Sequence, residues 1–375
     1  MYFKLSEKFE TMSVNELGSY ADFFETLFTA HRLGFHIIIA KRKLLLKIRE
    51  LLGISGRAKA TIDQISNKLN EYYSASSTVR RIIICSPPEP GLTFRLEDRD
   101  VVISIDILNE HHLLQQKFLL TENLTDGSIV IALSEVFLKS GNYPINFIAY
   151  RAIGGGGNTL ADALREEANN APRPKGLAFC DSDGSKNPPP FIDNTTAWRA
   201  FAIAAELNLV NQGIGLSLSS PFFAFDVTRG HSIENYIGPN LLECYFNALN
   251  RRTERLAFMR AFPNFPKLSA LEITIWMSLN LKIGTTSLKG VFDLLRRENG
   301  SVPPQMLARH TSYIQLSFPG DVLAWIITNS KGRWQRPIEN AVRLDLKYDA
   351  YLSSIEHHAN LIRDICAGDT SARQA

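Results

Sequence analysis

The sequence predicts an α/β protein: a parallel sheet flanked by helices, set between helical N- and C-terminal regions. Three observations predict it. Between Phe118 and Asp183, apolar β-rich runs alternate with helical patterns in the order strand, helix, strand, helix, strand, which is the signature of βαβ units on a parallel sheet. Four carboxylates, Glu122, Asp126, Asp181 and Asp183, follow the first and third of those runs, where open α/β sheets bind ligands. Apolar residues recur at helical spacing on either side, as in Phe24, Leu27 and Phe28, then Leu44, Leu45, Ile48 and Leu51.

Residues 1–76 are expected to be helical. Ser13 and Glu16 stand at capping-box spacing before the first helix. Lys41, Arg42, Lys43, Lys47 and Arg49 make this region basic, either as a solvated face or as a phosphate-contacting patch. Residues 77–116 form a small β-rich connector: Val79 to Cys85 and Val101 to Ile105 flank Pro87-Pro88-Glu89-Pro90-Gly91, which predicts an antiparallel element. His111 and His112 follow, a tandem pair that a single helix or strand would point apart.

Residues 117–240 are the α/β core. Its first strand is Phe118-Leu119-Leu120-Thr121, followed by a helix from Ile129 to Leu138. Its second is Ile145 to Tyr150, which leads to Gly154-Gly155-Gly156-Gly157. The glycines lack the Lys-Ser/Thr of a phosphate-binding P-loop and the spacing of a dinucleotide fingerprint. They are read as a tight turn beside the acidic site or a close backbone approach to a phosphate. A helix from Asn158 to Asn170 leads to the third strand, Gly176 to Cys180. Gly184 to Pro190 is a loop carrying Lys186, either a phosphate contact or a surface lysine. Gly213 to Leu218 is expected as the fourth strand.

Residues 241–367 are read as mainly helical, with helices at Leu241 to Phe262, Ser269 to Leu281, Ser287 to Glu298, Pro303 to Gln315 and Tyr348 to Cys366, and 368–375 as a disordered tail. Two basic clusters lie here: Arg251, Arg252, Arg255 and Arg260, and Lys331, Arg333, Arg336 and Arg343 with Trp334 among them. Basic groups interleaved with an aromatic suit a nucleic-acid groove. A solvated helix face is the alternative.

Composition sets the outer bounds. A hydrophobic content of 45% with 21% charged residues is ordinary for a globular chain. A net charge of +3 neither proves nor forbids a nucleic-acid partner. Cys85, Cys180, Cys244 and Cys366 lie far apart and are expected as reduced thiols of a cytoplasmic protein. The N-terminus shows no signal-peptide pattern. The apolar run from Leu33 to Ala40 is too short to span a bilayer.

Glu122-Asn123-Leu124-Thr125-Asp126 and Asp181-Ser182-Asp183 resemble the two motifs of the Toprim domain of topoisomerases, primases and OLD-family nucleases. In that family a Glu ends the first strand, often within Glu-Gly-x-x-Asp, and an Asp-x-Asp follows the third. Asn123 stands where the family has Gly. The resemblance covers residues 117–240, and Glu234-Asn235-Tyr236 matches a segment of small Toprim proteins of bacterial anti-phage systems. It implies a nuclease that hydrolyses phosphodiester bonds of DNA or RNA with Mg²⁺ or Mn²⁺. Asp181, Asp183 and Glu122 would hold metal, Glu122 doubling as general acid/base, with Asp126 in support and Glu234 as a further ligand. The expected partner is nucleic acid, with a partner ATPase or sensor protein and a homodimer as further candidates, and no membrane. The alternative is a partner-activated Toprim subunit that binds or regulates without cutting.

Overall fold

The computed structural model describes residues 1–140 except 92, 99 and 111, then 147–170, 174–183, 191–210, 215–216, 221–230, 232–262, 264–279, 281, 285–287, 313–315 and 318–368. The expected helices at 288–312, the loop residue Lys186, His111 and the tail 369–375 lie outside the described residues.

The N-terminal region is an α/β unit rather than a helical one. In chain order it holds β1 (Tyr2–Leu5), α1 (Lys8–Thr11), α2 (Val14–Gly18), α3 (Ala21–Arg32), β2 (Ile37–Ile39), α4 (Arg42–Arg49) and α5 (Gly56–Ser76). There follow β3 (Ile83–Ser86), β4 (Phe94–Glu97), β5 (Asp100–Ser104) and α6 (Ile105–Glu110). The five strands form one sheet in the order β2-β1-β3-β5-β4. Its first four are parallel, and β4 runs antiparallel to β5 at the edge. The β-rich stretch 77–116 is therefore half of a sheet begun by β1 and β2, not a separate connector. Ile37, Ile38 and Ile39 are all buried. Three β-branched residues in a row fit a fully buried strand. The helix starts follow their caps: the Ser13–Glu16 capping box opens α2 and Ser55 caps α5.

The second unit starts with β6 (Lys117–Thr121) and α7 (Leu124–Ser140), then β7 (Phe147–Ile148), β8 (Tyr150–Gly154), α8 (Leu160–Asn170) and β9 (Gly176–Cys180). It continues through α9 (Thr196–Glu206), β10 (Gly215–Leu216) and β11 (Phe223–Val227). The sheet order is β10-β11-β9-β6-β8. Strands β11, β9, β6 and β8 are parallel, with β10 antiparallel at the edge. Two expectations shift here. The second sheet strand is β8, paired Thr121 to Gly154, while the earlier part of the run, β7, pairs with β14 (Ala367–Gly368). The fourth parallel strand is β11, and the expected one at Gly213 to Leu218 supplies only the two-residue edge β10.

The two sheets share one topology. In each, the second, first, third and last strands of the unit lie side by side and parallel, and the penultimate strand adds an antiparallel edge.

Alternate side chains face opposite layers. Leu119, Leu177, Phe179 and Ala224 pack toward α7, in a core cluster shared with the N-terminal unit. Phe118, Leu120, Ala178, Phe223 and Phe225 pack toward α8 and α9.

Beyond the sheet come α10 (Pro239–Leu249), α11 (Arg252–Ala261) and α12 (Ala270–Ser278), then β12 (Thr285–Ser287) and β13 (Tyr313–Gln315). Last are α13 (Val322–Asn329), α14 (Gln335–Asp345) and α15 (Asp349–Cys366). The expected helices at Ser287 and at Gln315 are overturned at those residues, which pair as a short antiparallel ribbon. Helix α15 packs along α7 and over β9 and β11, and its Arg363 donates to the Thr78 carbonyl of the N-terminal unit at 2.6 Å. Among the described residues no helix is long and apolar enough to cross a membrane. All four cysteines are free thiols.

Candidate functional site

The neighbours β6 and β9 send their chains to opposite faces of the sheet, β6 into α7 and β9 toward α9. A crevice opens outside their carboxyl ends at such a reversal. Glu122 is the residue after β6, and Asp181 the residue after β9. They meet directly: the Asp181 N–H donates to Glu122 Oε1 at 3.1 Å.

Asp181 is buried, and its Oδ1 accepts the Ile233 N–H at 2.8 Å. That contact anchors the short 3-10 turn Ile233–Tyr236 beside the acidic pair. Ser182 is pinned by two bonds, its N–H to Thr228 Oγ1 and its hydroxyl to the Gly230 carbonyl. Asp183 then takes a left-handed backbone, φ +49°, and is half-buried.

Glu234 sits on the same turn. The capping box of this turn is supplied by Ser232 and Asn235. Glu234 Oε2 is buried with no hydrogen-bond partner among the described residues. An unsatisfied buried carboxylate oxygen is costly and calls for a donor or a cation. Asp126 lies in the first turn of α7, where Asn123 Nδ2 donates to its Oδ2 at 3.2 Å. Asn123, at the position where Toprim proteins carry Gly, thus orients Asp126.

The glycine run wraps this corner. Gly155 N–H donates to the Thr121 carbonyl, and Gly156 and Gly157 N–H to the Glu122 carbonyl. Gly156 and Gly157 have φ of +69° and +64°, a conformation open to glycine at no steric cost.

Electrostatically the corner is negative. Burial first, and then the charges of Glu122, Asp181, Asp183 and Asp226, push the Cys180 thiol well above its ordinary range. Among the described residues, however, one set alone brings three or more ligating side chains within 4.8 Å of one another, and it is Asp226, His357 and His358 rather than the acidic set. Sequence reasoning missed that trio. Asp226 and His358 are 132 residues apart, so no local spacing marks them. His112, half of the expected tandem pair, is exposed and belongs to no such set.

The basic clusters are only partly free. Arg251 pairs with Glu254 and Asp321, and Arg255 with Glu243. Arg252, Lys331, Arg333 and Arg336 are exposed with no ion-pair partner among the described residues. An aromatic ladder links the two clusters: Arg251 lies over Tyr245, Tyr245 meets Trp325, Trp325 meets Trp334, and Arg333 lies over Trp334, all at 5.4–5.9 Å. In the N-terminal unit, Lys41 pairs with Glu7 and Glu10, and Arg49 with Asp63.

Compared with known proteins, the chain matches no family model, no curated protein and no solved structure.

Proposed function

We propose that the chain is a metal-dependent phosphodiester hydrolase of the Toprim kind, cutting DNA or RNA at the crevice between β6 and β9. One observation carries the reading: Glu122 and Asp181 adjoin at the carboxyl ends of neighbouring strands where the winding reverses. Glu122, Asp181, Asp183 and Glu234 offer only oxygen donors, which suits Mg²⁺ or Mn²⁺. The unpartnered Glu234 Oε2 fits that use. When bound there, the ion supplies charge for a phosphodiester oxygen and a water acidic enough to attack.

The protein's own part is positioning. The backbone N–H groups of Asp181 and Ile233 fix one oxygen each of Glu122 and Asp181. Glu122 thereby stays at the corner as proton acceptor for the attacking water. Asp126, oriented by Asn123, holds the entrance of α7. Arg252, Lys331, Arg333 and Arg336 supply exposed cations for the phosphate backbone.

The deciding experiment incubates purified protein with Mg²⁺ or Mn²⁺ and labelled DNA, mRNA and tRNA. Metal-dependent cleavage that disappears in Glu122→Gln supports the reading. Cleavage that survives chelator, or survives Glu122→Gln, overturns it. A second reading, a partner-activated subunit, is favoured because no three of these carboxylates bring ligand atoms within 4.8 Å of one another among the described residues. It predicts cleavage only when a partner is added.

A further inference from the structure

We propose that Asp226, His357 and His358 form a zinc site that locks helix α15 to strand β11, with a ligand set distinct from the acidic one. Asp226 Oδ2 lies 2.7 Å from His358 Nδ1 and 2.9 Å from His357 Nε2. The three ligand atoms all fall within 4.8 Å of one another. Two imidazoles and one carboxylate are a donor set that zinc takes, leaving a fourth position for water. Hard cations such as Mg²⁺ favour oxygen alone.

One further feature fits a metal better than a bare ion pair. Asp226 is fully buried, and its Oδ1 has no hydrogen-bond partner among the described residues. A buried carboxylate oxygen without a partner calls for a donor or a cation.

The surroundings are also those of a metal site. His358 Nε2 lies 2.5 Å from the Tyr236 hydroxyl, and that oxygen accepts the Arg229 N–H. A ligating His commonly uses its other nitrogen in this way, which fixes ring and tautomer. Phe179 packs edge-on to the same ring at 5.0 Å. With Nδ1 as the ligand atom, the single ring hydrogen of neutral His358 would sit on Nε2, facing the Tyr236 hydroxyl. His357 keeps 24% of its side chain exposed, which gives an ion a route in.

The test strips the full chain with chelator and titrates it with Zn²⁺ alone, following heat and bound metal. The expected result is one tight equivalent that persists in Asp181→Asn and Glu122→Gln. In His357→Ala, a partly exposed position, affinity should fall by more than about 100-fold, beyond the ~10–100-fold typical of outer-shell changes. His357→Gln keeps the volume and should show the same loss. Zinc should also raise the melting temperature of the wild type and not that of the His357 variants, as binding to the folded state alone requires. No zinc bound by the wild type overturns the proposal. So does zinc binding that Asp181→Asn abolishes and His357→Ala leaves untouched, because the ion would then sit in the acidic crevice.

Discussion

Asp181 does two jobs, one for chemistry and one for the fold. Its charge belongs to the acidic crevice, while its Oδ1 caps the Ile233 N–H. Truncation to Ala would remove both and leave the buried Ile233 N–H unpaired, at a cost of about 1–3 kcal/mol. Asp181→Asn separates them, because an amide oxygen still accepts. We expect Asp181→Asn to abolish metal-dependent cleavage with a melting temperature close to wild type. Retained cleavage in the folded variant would exclude Asp181 from the chemistry. Asp345 makes a contrasting residue-scale prediction. It is fully buried on α14 and accepts from the Asn240 and Leu241 N–H groups at the start of α10, with Gly238 leaving room for it. Burial raises its carboxyl to about 7 against those hydrogen bonds, and burial likewise raises Asp364 to about 6. The folded chain therefore keeps protons that the unfolded chain, with an ordinary Asp near about 4, has already released. Through these groups stability falls as pH rises from about 4 to about 7 and then levels off. Asp345→Asn should flatten that slope in melting curves taken between pH 5 and 8, and equal slopes in both proteins would contradict the assignment.

At the scale of elements, α11 and the start of α14 are the parts that would meet a substrate backbone. Arg252 and Arg336 are the exposed cations to test, since Arg251 and Arg255 are engaged by acids. If each contacts a phosphate, Arg252→Ala and Arg336→Ala should each lower the steepness of log affinity against log salt by about one unit, equally across nucleic-acid sequences. Binding titrations at several salt concentrations measure this, and unchanged slopes would leave both arginines as solvated surface. Element placement also shows where the sequence was readable. β6, α7, α8 and β9 stand close to their apolar runs, because each run is long, periodic and bounded by turn residues. Glu122 and Asp181 were legible for the same reason: a strand end is a local property. β1 and β2 were not, being four and three residues long beside strong helical patterns. Ile37-Ile38-Ile39 after Gly34, with φ +78°, was the signal available. β11 was missed in favour of its edge neighbour because Phe223–Val227 is buried on both faces and shows no alternation. Asp226 with His357 and His358 had no local signature at all, since only the packing of α15 on the sheet brings them together.

At the scale of the molecule, two sheets of the same winding share one interior. Their crevices differ: at the carboxyl end of the N-terminal sheet an open pocket of about 540 Å³ is lined by Lys8, Met12, Pro88 and Glu89. There Lys8 and Glu89 pair at 2.5 Å, where the second unit gathers carboxylates. Phe3 of β1 stacks on Phe222 at 6.5 Å, and the buried Lys117 Nζ lies over both rings. With apolar residues from β1, β3, α7 and α15 in one cluster, we expect a single calorimetric transition for the whole chain. Two well-separated transitions would show that the units melt independently. The reach of α15 has a consequence for how the chain is made. Its Arg363 grips Thr78 across 285 residues, and its His358 meets Asp226 across 132. At ~5–20 residues per second of synthesis, β11 waits roughly 10 s for the helix that covers it. During that interval α7 has no α15 to pack against. We therefore expect a nascent chain that ends before α15 to leave the faces of β9, β11 and α7 that this helix covers open to chaperones.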